Sequence, residues 1–170
     1  MVTTASDSIA HQMRLLRSQG MEKRYENEII GFNNRMTDIH AAIGRVQLTK
    51  LAGWTAKRQA NAAFLSENIT EVVTPPIARG AVHVFHQYTI RIVDHDRDRF
   101  AEELAARGVG SGVYYPTPIH RLPSFGQSLN LPNTELAASH VLSLPIYPSL
   151  TDNELETIAT AVNDVARAGS

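Results

Sequence analysis

Three polar residues in a row, Asn33, Asn34 and Arg35, stand just ahead of a helical pattern that opens at Thr37 or Asp38. Either of the last two can cap that helix, because a short side-chain oxygen accepts an orphan backbone N–H of the first turn. Ile39 and Ile43 lie four apart and Val46 three further on, so they share one face. Amide and guanidinium donors beside the positive end of a helix suit an anion such as a phosphate, and the guanidinium fork matches phosphate oxygens in particular. The same residues also read, on local physics alone, as a tight turn shaped by asparagine with Arg35 in a surface ion pair.

Other chemistry-bearing residues are scattered. Tyr115 and His120 bracket the loop Tyr115-Pro116-Thr117-Pro118-Ile119-His120, which two prolines make rigid. The lysines are Lys23 in a polar stretch and Lys50 and Lys57 on the long helical pattern, where charged residues normally face water. None has a neighbour that would depress its pKa and make it a nucleophile. His83 and His86 would point to opposite faces of a strand, so they do not chelate one ion together. With no cysteine in the chain and no carboxylate cluster beside them, no metal site is expected. Asp94-His95-Asp96-Arg97-Asp98 reads as a solvated turn with a helix cap. His11 and His40 lie on helices and receive no role, and no glycine-rich phosphate loop is present.

The elements that position these residues follow from the pattern. Met1-Val2-Thr3-Thr4 reads as the end of a strand. Ser6-Asp7-Ser8 caps a helix with Ile9, Met13 and Leu16 at helical spacing, and Gly20 stops it. Residues 21–30 read as a polar loop. A long helix runs from Thr37 to about Asn68, its apolar positions spread over more than one face, as suits a connector between two domains. Thr74-Pro75-Pro76 breaks the chain and marks the expected boundary, with residues 1–74 on one side and 75–170 on the other. Beyond it come a strand over residues 83–93, a helix over 97–107 closed by Gly108, and a strand over 109–115. A helix capped by Asn133 then runs through Val141, followed by an extended segment over 143–148. Thr151 and Glu154 form a capping box for a last helix that buries Leu155, Ile158, Ala159 and Val162 and ends at Gly169. The fold class is therefore α/β, with an α+β small domain.

Composition narrows the classes. The 170 residues suffice for a domain with a real core or for a piece of a larger one. A formal net charge of -1 gives no argument for nucleic acid. No run approaches the roughly 20 apolar residues of a membrane span, and the start lacks the basic and apolar regions of a secretory signal. The absence of cysteine agrees with a cytoplasmic protein.

Beside this reading stands a resemblance. Gly31-Phe32-Asn33-Asn34-Arg35-Met36-Thr37-Asp38-Ile39-His40-Ala41-Ala42-Ile43-Gly44 resembles the G-x-N-x-R-M-x-x-I-x-A-A-x-G segment of the DegT/DnrJ family of sugar aminotransferases, which use pyridoxal phosphate (PLP). The phrases HQYTIRI, GV-x4-YYPTPIH and LSLPIYPSLT match that family in the same order. One departure is Tyr114, where many relatives carry histidine before the Tyr-Pro pair; it bears on the sugar preferred.

The resemblance implies the C-terminal portion of a fold-type-I PLP-dependent transferase. Residues 1–74 would be the end of the large PLP-binding domain plus a long connecting helix. Residues 75–170 would be a small domain, a mixed sheet packed by helices. The lysine that carries the cofactor, and the carboxylate that holds its pyridine nitrogen protonated, would lie upstream, so no catalytic residue is assigned in this chain. Asn33 would reach the PLP phosphate across a dimer interface, and Arg35 would support the same junction or meet an anionic part of the substrate. Tyr115 and His120 would line the sugar-nucleotide pocket; the alternatives are an aromatic packed in the core for Tyr115 and a surface imidazole for His120. The implied reaction moves an amino group from glutamate or glutamine to a nucleotide-linked keto-sugar, for amino-sugar or polysaccharide biosynthesis. The implied partners are an N-terminal part of the enzyme, fused or separate, and a second copy of the chain in a homodimer. The alternative is a non-catalytic remnant of a split or frameshifted gene that acts only in protein association.

Overall fold

In a computed structural model, which describes residues 2–168, the chain divides into two compact units, Met1–Lys50 and Leu51–Ser170. The first contains helix α1 (Asp7–Arg17), the two short strands β1 (Met21–Lys23) and β2 (Glu26–Asn27), and the start of helix α2 (Asp38–Asn68). Ser6 caps α1 as expected, its hydroxyl accepting from the backbone N–H of Ile9 at 3.4 Å. Thr37 caps α2 in the same way, accepting from the N–H of His40 at 3.3 Å. The polar stretch read as a loop is instead an antiparallel hairpin, pairing Met21 with Asn27 and Lys23 with Glu26. Tyr25 turns it with a φ of 71°, and an ion pair of 2.6 Å joins Lys23 Nζ to Glu26 across it. Val2-Thr3-Thr4 forms no strand, since none of the described residues pairs with it, and Met1 lies outside the described residues.

Little of this unit is buried. Leu15 is the one buried residue of α1, while Ile9, Met13 and Leu16, the apolar residues at helical spacing, are exposed. Phe32, Met36, Ile39, Ile43 and Val46 are exposed as well.

The second unit has a continuous core. Strand β3 (Tyr88–Arg91) pairs antiparallel with β4 (Val141–Leu144), in the register Tyr88 opposite Leu144 and Ile90 opposite Leu142. Single bridges extend the sheet on both sides, Val73 to Arg91 and Gly112 to Ser143. The alternation read from the sequence holds where the strand exists: Tyr88, Ile90 and Ile92 are fully buried. The strand is shorter than residues 83–93, however, because Phe85 takes a left-handed φ of 46° and turns its ring into the core. Residues 109–115 form no strand beyond the one bridge at Gly112, since Gly110 and Gly112 supply no side chain to pack.

Helices cover this sheet. Helix α3 (Arg97–Ala106), capped by Asp96, buries Phe100 and Leu104. Helix α5 (Asp152–Ala168) buries the four residues expected of it together with Ala161, Val165 and Ala166. Its capping box forms, with the Glu154 carboxylate accepting from Thr151 N–H and hydroxyl at 2.8 Å each. These two bonds, the backbone one foremost, hold the Glu154 carboxyl below the usual carboxylate range. The expected end at Gly169 lies outside the described residues. Helix α4 (Pro132–His140) starts two residues earlier than expected, with Leu131 rather than Asn133 at its N-cap position. Proline suits the first helical position because it lacks the N–H that would be orphaned there.

The last turns of α2 complete the core with Ala62 and Leu65, followed by Ile69. Its polar side chains also hold down two loops. Arg58 Nη1 donates to the carbonyls of Phe85 and Ile146, Gln59 donates to the carbonyl of His83 at 3.0 Å, and Asn61 donates to that of Tyr147 at 2.9 Å. Each bond satisfies a carbonyl that no ladder reaches. No helix among the described residues is long and apolar enough to cross a membrane.

Candidate functional site

In the first unit, the geometry of Asn33 and Arg35 begins with the end of α1. A helix leaves its last carbonyls without partners. Here Leu15 O receives the N–H of Ser18 and of Gly20, Leu16 O that of Phe32 at 2.7 Å, and Arg17 O that of Asn34 at 3.0 Å. The segment ahead of α2 is thus stitched to the terminus of α1, with Ser18 and Asn33 forming a bridge and Gln19 N–H returning a bond to Phe32 O at 2.7 Å.

Two glycines permit this crossing. A Cβ on Gly31 would lie 2.1 Å from the nitrogen of Gly20, and one on Gly20 would lie 1.7 Å from the carbonyl oxygen of Ile29. Gly20 also holds a φ of 76°. On this base the Arg35 Nε donates to the side-chain oxygen of Asn33 at 3.0 Å. The bond fixes the orientation of the asparagine amide. The bond takes one lone pair of the amide oxygen, and the amide still offers two N–H donors beside a guanidinium. Both residues are exposed. The donor set fits a phosphate.

In the second unit, the expectations for Tyr115 and His120 come apart. Tyr115 is not packed in the core; it is 74 % exposed, with its ring edge-on to Tyr114 at 6.0 Å. His120 is not a surface imidazole; it is 6 % exposed, on a 3-10 turn over Ile119–Arg121. Its Nε2 lies 2.9 Å from Glu135 Oε1, and the same oxygen accepts from Arg121 Nε at 2.8 Å. The guanidinium of Arg121, and then the imidazole of His120, hold the Glu135 carboxyl below the usual carboxylate range.

Glu135 falls within the helix expected after Asn133, but nothing in the sequence signals that it receives His120. The 15-residue separation carries no periodic signal. Also unforeseen is His86, which lines two clefts. One, of about 510 Å3, runs beside β4 with Gln87, Gly112, Tyr114 and Ser143. The other, of about 670 Å3, is lined with Trp54, Arg58, Val84 and Pro148. The Nδ1 of His83 accepts the backbone N–H of Phe85 at 2.9 Å. Among the described residues, His11, Glu22 and Glu28 do bring ligand atoms within 4.8 Å of one another, on an open surface. Lys23 is bound to Glu26, and Lys50 and Lys57 lie on exposed positions of α2.

Comparison with known proteins places the chain. Residues 1–163 match the DegT/DnrJ/EryC1/StrS aminotransferase family. The chain belongs to this family. A pleiotropic regulatory protein of Geobacillus stearothermophilus is 34 % identical over 98 % of the chain and 47 % of its own length. A UDP-N-acetyl-3-dehydro-alpha-D-glucosamine 3-aminotransferase of Acidithiobacillus ferrooxidans is 32 % identical over 95 % of the chain and 44 % of its own length. Among solved structures, the aminotransferase TlmJ of Streptoalloteichus hindustanus superimposes with a TM-score of 0.90 at 28 % identity, over 98 % of this chain and 47 % of that one. The chain therefore spans about half the length of the DegT/DnrJ/EryC1/StrS relatives it matches. Its mixed helix and strand architecture is that of the corresponding half of those aminotransferases.

Proposed function

We propose that the chain is the C-terminal part of a PLP-dependent aminotransferase that acts on a nucleotide-linked keto-sugar. The observation that carries this is the Asn33–Arg35 pair, a donor set fixed by the crossing at Gly20 and Gly31 and lying inside the family motif. In this reading the Asn33 amide and the Arg35 guanidinium bind the cofactor phosphate in the neighbouring subunit of a homodimer. Bound PLP supplies an electron sink for the substrate carbon. Tyr115, on its exposed loop, meets the sugar nucleotide, and His120 stands at the wall of the same pocket with Nε2 committed to Glu135. The cofactor-bearing lysine comes from the family's N-terminal part, fused to this chain or supplied as a separate polypeptide. Residues 1–74 form the end of the large domain plus the long connecting helix, and residues 75–170 form the small domain.

The test uses the complete enzyme, this chain together with that N-terminal part. Amino-sugar formation is measured from nucleotide-linked keto-sugars with glutamate or glutamine as donor. Asn33→Ala and Arg35→Ala are each expected to weaken PLP retention by about tenfold to a hundredfold, the range for losing a hydrogen bond to a charged group. A complex that binds PLP yet aminates no nucleotide keto-sugar sinks the reading and leaves a chain that acts only by association.

A further inference from the structure

Between the cleft that Tyr114 lines and the start of α4 runs a long, mostly irregular loop, residues 116–131, exposed along nearly its whole length. Loops of this length and exposure are usually mobile or functional. Besides the backbone bonds from Thr134 and Glu135 to Leu131 O where loop and helix join, two of its side chains reach α4 through one carboxylate. Glu135, in the first turn, takes both His120 Nε2 and Arg121 Nε on one oxygen, at 2.9 and 2.8 Å. The second half of the loop is tied back to the same point, because the N–H of Gln127 donates to His120 O at 3.0 Å. His120 is the one deeply buried residue of the loop, and its burial is stabilised only while its ring nitrogen is paired. A single side chain thus joins the turn at 119–121, the return at 127 and the helix.

We propose that Glu135 is a positioning residue, which latches the 116–131 loop onto α4 through His120 and Arg121 and so presets the segment that presents Tyr115. The latch deepens the functional reading above and rests on it only for what Tyr115 meets. The latch itself is a property of this chain. Two groups face the Glu135 carboxylate from the turn, Arg121 and His120. On its own helix the nearest titratable group is His140, one turn and more away and bonded to Ser139 and Leu136 O. The guanidinium of Arg97 sits at the far end of α4, on the carbonyls of Ala138 and Val141. The latch therefore answers to the ionisation of Glu135.

The experiment uses the 170-residue chain. Trypsin cleavage after Arg121 is timed against cleavage after Arg99 on α3 and Arg107 at its C-cap, and exchange of the Gln127 amide is followed as pH falls. Glu135→Ala is expected to speed cleavage after Arg121 by about tenfold or more, with the α3 sites unchanged. Glu135→Gln keeps a carbonyl acceptor and is expected to change it by less than about threefold. In the wild type, the protection of the Gln127 amide, its intrinsic exchange rate divided by the observed one, falls as pH falls through the depressed Glu135 titration, and Glu135→Gln lacks that step. Wild-type cleavage in Glu135→Ala overturns the proposal, as does an acid step that persists in Glu135→Gln. If Glu135→Ala loosens every site alike, the Glu135→Gln pH profile decides alone. None of these readouts involves PLP or sugar, so failure of the latch and failure of the aminotransferase reading are separable.

Discussion

Arg58→Met tests whether polar side chains of α2 hold the second unit together. The guanidinium Nη1 donates to two carbonyls, Phe85 O and Ile146 O, from segments 61 residues apart in sequence. Hydrogen bonds to a charged group contribute about 1.5–3 kcal/mol each. One nitrogen serves both here and the side chain is only partly buried, so the pair is worth about 2–3 kcal/mol. Methionine keeps most of the aliphatic stem and removes the donors, leaving two carbonyls without partners beside Phe85, whose left-handed backbone needs that support. Unfolding entropy of about 2.1 cal/mol/K per residue, over a unit running from Leu51 to Ser170, makes each kcal/mol worth about 4 °C. The melting temperature, followed by circular dichroism at 222 nm as a generic helix signal, is expected to fall by roughly 8–12 °C. Arg58→Lys, which keeps a charge but loses the fork, is expected to recover less than half of that. A fall of under about 2 °C in Arg58→Met refutes the argument, because the two carbonyls would then be satisfied some other way.

Two further outcomes follow from separate parts of the chain. Gly31→Ala places a methyl 2.1 Å from backbone that cannot yield; it is expected to open the bonds from Phe32 and Asn34 to the end of α1 and to speed exchange of those two amides by about tenfold to a hundredfold, with the β3 and β4 amides unaffected. Burial raises the pKa of the Tyr88 phenol, against a smaller opposing effect of its 2.9 Å bond to Ser66. A folded pKa above the unfolded one gives stability that is fully present below pH about 10 and lost as pH rises through the folded value. Tyr88→Phe should therefore remove part of the alkaline loss of stability seen in melts above pH about 10, while costing only about 1 kcal/mol at neutral pH.

What the sequence made legible is what repeats along the chain. The 3.6-residue period and the caps gave α1, α2, α3 and α5 to within a residue or so, with Ser6, Thr37, Asp96 and Thr151 in their expected roles. Period-two alternation found β3, but ran too far, because nothing local announces that Phe85 leaves the strand. The hairpin at residues 21–27 escaped because three- and two-residue strands are too short for alternation to register. At the candidate site, residue types pointed to Asn33 and Arg35, and the Gly20–Gly31 crossing that seats them joins residues 11 apart that no periodic rule connects. Arg58, Asn61 and Glu135 were invisible for the same reason: each acts on a partner 15 to 88 residues away.

The polar bonds from α2 have a consequence for how this helix can change over time. Arg58, Gln59 and Asn61 meet four carbonyls on the loops, and Ala62 and Leu65 enter the core one turn on. A helix rotates by about 100° for each residue added or removed. One insertion upstream of Leu51 leaves this set in phase with itself, since it only lengthens the helix before it. One insertion between residues 58 and 65 turns the apolar pair away from the core while the polar set still faces the loops, or the reverse. A length change inside that window is therefore costly whatever residue is added, because spacing as well as identity holds the helix to both the loops and the core.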